Sequence, residues 1–210
     1  IGLEMAENLV HRGVRATVVE MADQVMAPLD PEMAALIHLH LKEKGVVLEL
    51  GQQVKSFAAK DGRLAITTVQ GKELVGDMII SALGVRPENK LAKEAGLELG
   101  SRGHIKVDAT MRTSDPDIFA VGDAVEIENL VTGFPTAIAL AGPANKQGRI
   151  AADNAMGRES LYKGAMGTSI VRVFDLTVAG TGVNEKQLVK DKIPFLKSYT
   201  HSGSHASYYP

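Results

Sequence analysis

The run Thr113-Ser114-Asp115-Pro116-Asp117-Ile118-Phe119-Ala120-Val121-Gly122-Asp123-Ala124 constrains this chain more than any other stretch. Ile118 to Val121 reads as a short buried strand. Gly122 follows, and a residue without a Cβ lets the backbone approach a ligand closely. Asp123 then stands at the strand's carboxyl end. In an open α/β sheet ligands bind at that end, and a carboxylate there accepts hydrogen bonds from sugar hydroxyls. A Gly-Asp pair alone is more often a turn; the twelve-residue context makes it specific.

The opening of the chain points the same way. Ile1, Met5 and Leu9 recur at four-residue spacing and Gly13 supplies a stop, which predicts an amphipathic helix over 2–12. Arg15 to Glu20 follows as a β-branched strand closing on an acid 18 positions after Gly2. This is the spacing of the second half of a dinucleotide-binding βαβ unit. Gly2 would be the last glycine of its phosphate fingerprint, and Glu20 would accept hydrogen bonds from the adenosine ribose. Taken alone, Glu20 also reads as a solvated strand terminus. Met21-Ala22-Asp23-Gln24 contains no cation for a 2′-phosphate, which favours NADH over NADPH.

A second helix is predicted over 31–44, with Asp30 as N-cap, Pro31 in the first turn, Met33, Leu36, Ile37 and Leu41 on one face, and Gly45 as the stop. His38 and His40 fall two apart on it, hence on different faces, and make no metal pair. Val46 to Leu50 reads as the next strand. Three β segments near 54–59, 63–69 and 72–81, divided by Asp61-Gly62 and Gln70-Gly71, read as a meander. It leads into Met78-Ile79-Ile80-Ser81-Ala82-Leu83, an apolar run suited to the buried centre of a sheet. Gly84-Val85-Arg86-Pro87 ends that run as a loop, with a backbone able to approach a nucleotide.

Composition narrows the function classes. With 210 residues, 45% hydrophobic, the chain can build one large or two ordinary cores, and a net charge of −2 with scattered Lys and Arg offers no nucleic-acid or anionic-membrane surface. No apolar run reaches membrane-spanning length and no signal-peptide pattern is present, so the expected location is cytoplasmic. The absence of cysteine excludes disulfides, thiolate metal sites and thiol redox chemistry within these residues. Residue 1 is Ile and the chain opens inside a helix, so the sequence reads as a piece of a longer protein.

The chain resembles the flavoprotein pyridine nucleotide-disulfide oxidoreductases, and within them the coenzyme A-disulfide reductase, NADH oxidase and NADH peroxidase branch. The likeness is carried by Ile1-Gly2-Leu3-Glu4, Glu20, the 82–88 run Ala-Leu-Gly-Val-Arg-Pro-Glu, the 113–124 segment, and Leu140-Ala141-Gly142-Pro143-Ala144-Asn145-Lys146-Gln147-Gly148-Arg149. Val173 to Gly182 and His205 to Pro210 extend it toward a dimerisation domain. The resemblance implies a Rossmann-like α/β fold that binds two dinucleotides, FAD and NADH. Residues 1–84 would form the NADH-binding domain without its first strand, 85–162 the C-terminal part of the FAD domain, and 163–210 the start of an α/β dimerisation domain.

The same resemblance implies roles. Asp123 would bond the FAD ribityl chain beside Gly122, and backbone amides at Ala139, Leu140 and Ala141, at the start of a helix, would face the flavin pyrimidine edge. A helix N-terminus there suits the negative charge of reduced flavin. Gly2 and Glu20 would hold the pyrophosphate and ribose, Gly84 would pack against the cofactor, and Glu4 would lie near the nicotinamide; Glu4 also reads as an exposed first-turn acid. The family's redox cysteine belongs to a half that these residues do not include. Tyr208 or Tyr209 matches a tyrosine that reaches the active-site sulfur of the partner subunit in a homodimer, and a phenol can protonate a leaving thiolate. Two interface aromatics are the plainer alternative. No metal site is expected at His201 and His205, because Ser-Gly-Ser lies between them as a loop.

The resulting expectation is an FAD-dependent NAD(P)H oxidoreductase acting on a disulfide-type acceptor such as coenzyme A disulfide or polysulfide. An NADH oxidase or peroxidase needs the same parts. A ferredoxin-type reductase needs no cysteine, but the 140–149 run and the tyrosine pair argue against it. Taken literally, the 210 residues could also be a cofactor-binding piece without catalysis.

Overall fold

Glycine punctuation and apolar periodicity account for the first third of the chain. The structure is a computed structural model that describes residues 1–201, 203 and 208. Helix α1, Gly2–His11, lays Leu3 and Val10 against a core. It closes at Gly13, where φ of +77° lets Val14 N–H reach back to Leu9 O at 2.9 Å. Helix α2, Pro31–Glu43, ends the same way at Gly45, with Val46 N–H on Leu41 O at 2.9 Å. Between them runs β1, Thr17–Val19, which pairs in parallel with β2, Val47–Glu49, so α2 is the crossover of a βαβ unit.

Three details of this unit differ from the sequence reading. Ala34, Ile37 and Leu41 face the core, whereas Met33 and Leu36 are 52% and 54% exposed and lie outside the buried stripe. Asp30 sits at the N-cap of α2, but its carboxylate turns away to bond a later helix. His38 and His40 diverge as expected of that spacing. His38 Nε2 accepts a hydrogen bond from Val25 N–H at 3.1 Å, and His40 stands edge-on to the Phe174 ring.

The meander follows as β3, Val54–Lys60, β4, Arg63–Thr68, and β5, Glu73–Gly76, in one antiparallel sheet. Asp61 and Gly62 both have positive φ between paired Lys60 and Arg63, the type I′ geometry that matches strand twist. The run at 78–83 is not the buried strand expected of it. Met78 is 56% and Leu83 88% exposed, and the run joins no sheet among the described residues. A strand needs N–H and C=O partners on a neighbour, and hydrophobicity alone cannot supply them.

The second core gathers Met111, Val125, Ile127 and Tyr162. Short helix α3, Lys90–Glu94, leads to β6, Ile105–Lys106, which pairs in parallel with β7, Val125–Glu128; β8, Pro135–Thr136, adds an antiparallel edge. Helix α4, Ala141–Ala155, contributes Ile150 and Ala151 to the same core. Ile118 to Val121, expected as a strand, is half-buried at 118–120 and exposed at Val121, and among the described residues it makes a single bridge, Phe119 to Arg112. The Arg112 guanidinium lies over the Phe119 ring at 4.6 Å and donates to Pro116 O, so a tight loop takes the place of a ladder.

The last elements are a hairpin, β9, Ser169–Val173, and β10, Leu176–Gly180, and helix α5, Glu185–Lys190. The hairpin's turn carries Phe174 into the first core, where it is 3% exposed among Val25, Ile37, Leu41 and Val46. The βαβ unit and the β9–β10 hairpin thus share one core.

Candidate functional site

The expected site residues fall in two stretches, one where the Gly122 turn packs on α4 and one on α1, β1 and the 82–84 run, where Gly2 meets Ala82. Gly122 has φ +82°, a conformation that L side chains rarely adopt. A Cβ there would stand 4.0 Å from Ala144 Cβ, an ordinary contact, so conformation and not crowding demands glycine. Its N–H donates to Gln147 Oε1 at 2.7 Å. Gln147 is 1% exposed on α4, and this bond pins the turn to the helix. Gly122–Ala124 form one 3-10 turn, on which the Asp123 carboxylate is exposed and unbonded among the described residues.

The N-terminus of α4 supplies the second part of this cluster. Leu140 is its N-cap and offers no side-chain cap. Leu140 N–H is taken by Ile138 O at 3.0 Å and Pro143 has no N–H, which leaves the amides of Ala141 and Gly142 without acceptors among the described residues. Ala139 is exposed beside them. Free amides at the positive end of a 15-residue helix favour a negatively polarised group. Asp123 and this helix end therefore offer an acceptor for hydroxyls and donors for an electron-rich edge on elements packed together.

Sequence reading gave Gln147 no role. The signal was a polar residue spaced three and four positions before Ile150 and Ala151, both core residues. Gln147→Leu keeps the volume but strips Gly122 N–H of its acceptor, at a cost of about 1–3 kcal/mol. The expected result is a lower melting temperature and faster loss of flavin on gel filtration of the full-length protein. Gln147→Glu, which keeps an acceptor, should lose less.

At the other cluster, a Cβ on Gly2 would stand 3.3 Å from Ala82 Cβ, tighter than most such contacts. Glycine lets the 78–83 run lie against the start of α1, the packing task of the last glycine in a dinucleotide fingerprint. Gly84, two residues beyond, has φ +85° and is exposed. Glu4 is exposed in the first turn of α1. Glu20 is half-buried at the carboxyl end of β1, where Oε1 accepts from Ala22 N–H at 2.9 Å and its own backbone pairs with Glu49 and Gln52. Tyr208 is exposed, and Tyr209 and His205 lie outside the described residues. Among the described residues no three His, Asp or Glu side chains are grouped to hold a metal, and no helix is long and apolar enough to cross a membrane.

The loop after Glu20 has a pH-sensitive support. His38 Nε2 accepts from Val25 N–H only when neutral. Burial, then the Lys42 ammonium, lower its pKa from the ordinary 6.5, against an opposing pull from Asp23. A pKa depressed in the fold gives stability that is present above the unfolded value and is lost as pH falls through the folded one. Melting temperature should therefore drop on acidification below about pH 6.5, more steeply in the native protein than in His38→Gln.

A model described as pyridine nucleotide-disulphide oxidoreductase matches residues 1–148. The chain belongs to this family. Membership gives it a Rossmann-like α/β fold and implies flavin and nicotinamide cofactors. Among curated relatives, an NADH oxidase of Methanocaldococcus jannaschii is 36% identical over 211 residues, spanning 100% of this chain and 47% of that protein. A coenzyme A disulfide reductase of Staphylococcus aureus is 29% identical over the same spans. Among solved structures, reduced Bacillus anthracis CoADR-RHD superposes with a TM-score of 0.94 at 49% identity, covering 99% of this chain and 37% of that one. The chain spans about half the length of the curated relatives it matches.

Proposed function

We propose that these residues form the pyridine-nucleotide side and part of the flavin side of an FAD-dependent NAD(P)H oxidoreductase that reduces a disulfide-type acceptor, such as coenzyme A disulfide or polysulfide. The observation that carries this reading is the packing of the Gly122-Asp123 turn on α4, whose N-terminus keeps two amides free among the described residues. The coenzyme A disulfide reductase relative and the CoADR-RHD structure support the choice of acceptor. NADH oxidase activity is the second reading, favoured by the Methanocaldococcus relative.

The residues present fit FAD. Gly122 and Asp123 would hold the polyol chain, and Ala139, Leu140 and Ala141 would line the isoalloxazine edge. Bound FAD supplies two-electron chemistry, accepting hydride from the nicotinamide and delivering electrons to sulfur. Asp123 orients through hydrogen bonds accepted from hydroxyls. The α4 terminus stabilises negative charge on the edge it faces, in an array already fixed before any charge develops. Glu20 would fix the adenosine ribose, Gly2 would admit the pyrophosphate, Gly84 would pack against the nucleotide, and Glu4 would lie by the nicotinamide. The sulfur that receives the electrons lies outside these residues, which contain no cysteine.

The intact enzyme is proposed to be a cytoplasmic homodimer that prefers NADH and places Tyr208 or Tyr209 at the partner's sulfur. Residues 1–84, 85–162 and 163–210 would belong to its NADH, FAD and dimerisation domains. The test is anaerobic NADH consumption by the full-length protein with coenzyme A disulfide, compared with oxygen or peroxide as acceptor. Turnover with the disulfide alone is expected. Turnover with only oxygen or peroxide would overturn the acceptor and leave the oxidase reading.

A further inference from the structure

The loop that joins Glu20 to α2 is held from a distant part of the chain. Gln24 is 6% exposed, and its amide Nε2 donates to Leu29 O at 3.0 Å, closing the loop on itself. Its other end, Oε1, accepts from Lys186 Nζ at 3.2 Å. The same ammonium donates to Ala27 O at 2.9 Å, and Asn184 Nδ2 donates to Pro28 O at 2.9 Å. Asp30 completes the clamp. Its carboxylate accepts from Glu185 N–H at 2.8 Å and Lys186 N–H at 3.2 Å, across 155 and 156 positions of sequence.

The near end of the loop meets the expected nucleotide ligand. Ala22 N–H donates to Glu20 Oε1, and Ala22 O accepts from Gly51 N–H at 2.8 Å, so the carboxylate's rotamer is tied to the loop's path. A buried amide such as that of Gln24 is costly to leave half-satisfied, which makes Lys186 decisive for that path. The clamp gives the start of α5 a grip on the backbone that leads away from Glu20.

We propose that Lys186, with Gln24 and Asp30, positions the pyridine nucleotide by fixing the 21–29 loop and thereby the Glu20 carboxylate. The proposal deepens the function above and rests on Glu20 receiving the nucleotide. Lys186 acts through Gln24, Ala27 and the loop.

The test uses the full-length, FAD-loaded enzyme and two readouts: NAD+ binding by calorimetry, and steady-state kinetics with NADH and acceptor varied separately. Lys186→Met is expected to raise the Kd for NAD+ and the KM for NADH roughly tenfold, with flavin content and the KM for the acceptor unmoved. Lys186→Arg, which keeps a cation and donors, should restore most of the affinity. Native affinity for NAD+ in Lys186→Met overturns the proposal. So does a parallel rise in the KM for the acceptor, the mark of a merely structural role. Should Lys186→Met fail to fold, Asp30→Asn, which keeps one acceptor for α5, is expected to give a smaller rise confined to the same two constants, and no rise overturns the proposal. If the native enzyme binds no pyridine nucleotide at all, the functional reading itself fails.

Discussion

Asp123→Leu in the full-length protein is expected to come off the column colourless, with FAD affinity lowered roughly 10- to 100-fold, the worth of hydrogen bonds to a charged acceptor. The carboxylate is exposed and bonds nothing among the described residues, so its removal leaves no buried donor stranded. Thermal stability measured without added flavin should therefore move by less than about 0.5 kcal/mol, as for surface substitutions elsewhere. The contrast with Gln147 separates binding from scaffolding. Gln147 acts by holding Gly122 N–H, and its loss should lower stability and flavin retention together, whereas Asp123 should lower flavin retention alone. Asp123→Asn, which keeps an oxygen acceptor and loses the charge, should fall between. A yellow Asp123→Leu protein of native flavin content would sink the role assigned to this residue.

Phe174→Ala carries the largest expected loss of stability, about 3–5 kcal/mol for a buried aromatic removed from a packed core. The ring sits at the turn between β9 and β10 with φ +52°, a left-handed conformation uncommon for a bulky residue. Such a conformation persists where the surroundings over-determine it. Here Phe174 N–H donates to Glu7 Oε2 at 2.9 Å, Arg172 Nε donates to Phe174 O at 2.6 Å, and His11 and His40 meet the ring edge-on at 5.4 and 6.2 Å. Lys44 pairs with Asp175 beside it. Calorimetry of the full-length variant should show a lowered melting temperature, and amide exchange should rise in α2 and in the β9–β10 hairpin together, because one core holds both. Faster exchange confined to the hairpin would contradict the shared core.

Local signals made the βαβ unit legible. Gly13 and Gly45 stop helices whose last carbonyls need a left-handed residue, and Asp61-Gly62 supplies the two positive φ values of a tight hairpin. The family resemblance likewise singled out the Leu140–Ala141 helix start. What escaped the sequence depends on groups far apart in the chain. Nothing in Phe174-Asp175 marks a ring that will close a core with Val25, Ile37 and Leu41, more than 130 positions away. Lys186 reads as one more surface lysine until Gln24 is seen to need a donor. The 78–83 run failed in the opposite direction, because its apolarity was read correctly as wanting burial but could not say where its strand partners lie. Met33 and Leu36 were misplaced for a similar reason: an all-apolar stripe on α2 is wider than the core it faces, and Ala34, which carries little hydrophobic weight, marks the buried side.

Anaerobic titration of the purified full-length protein with NADH, followed by the flavin's visible absorbance, tests whether this chain helps seat a flavin within reach of a pyridine nucleotide. A yellow protein that bleaches with stoichiometric NADH and needs distinctly more NADPH to do so is expected. A protein without flavin absorbance, or one whose flavin does not bleach with either nucleotide, would contradict it.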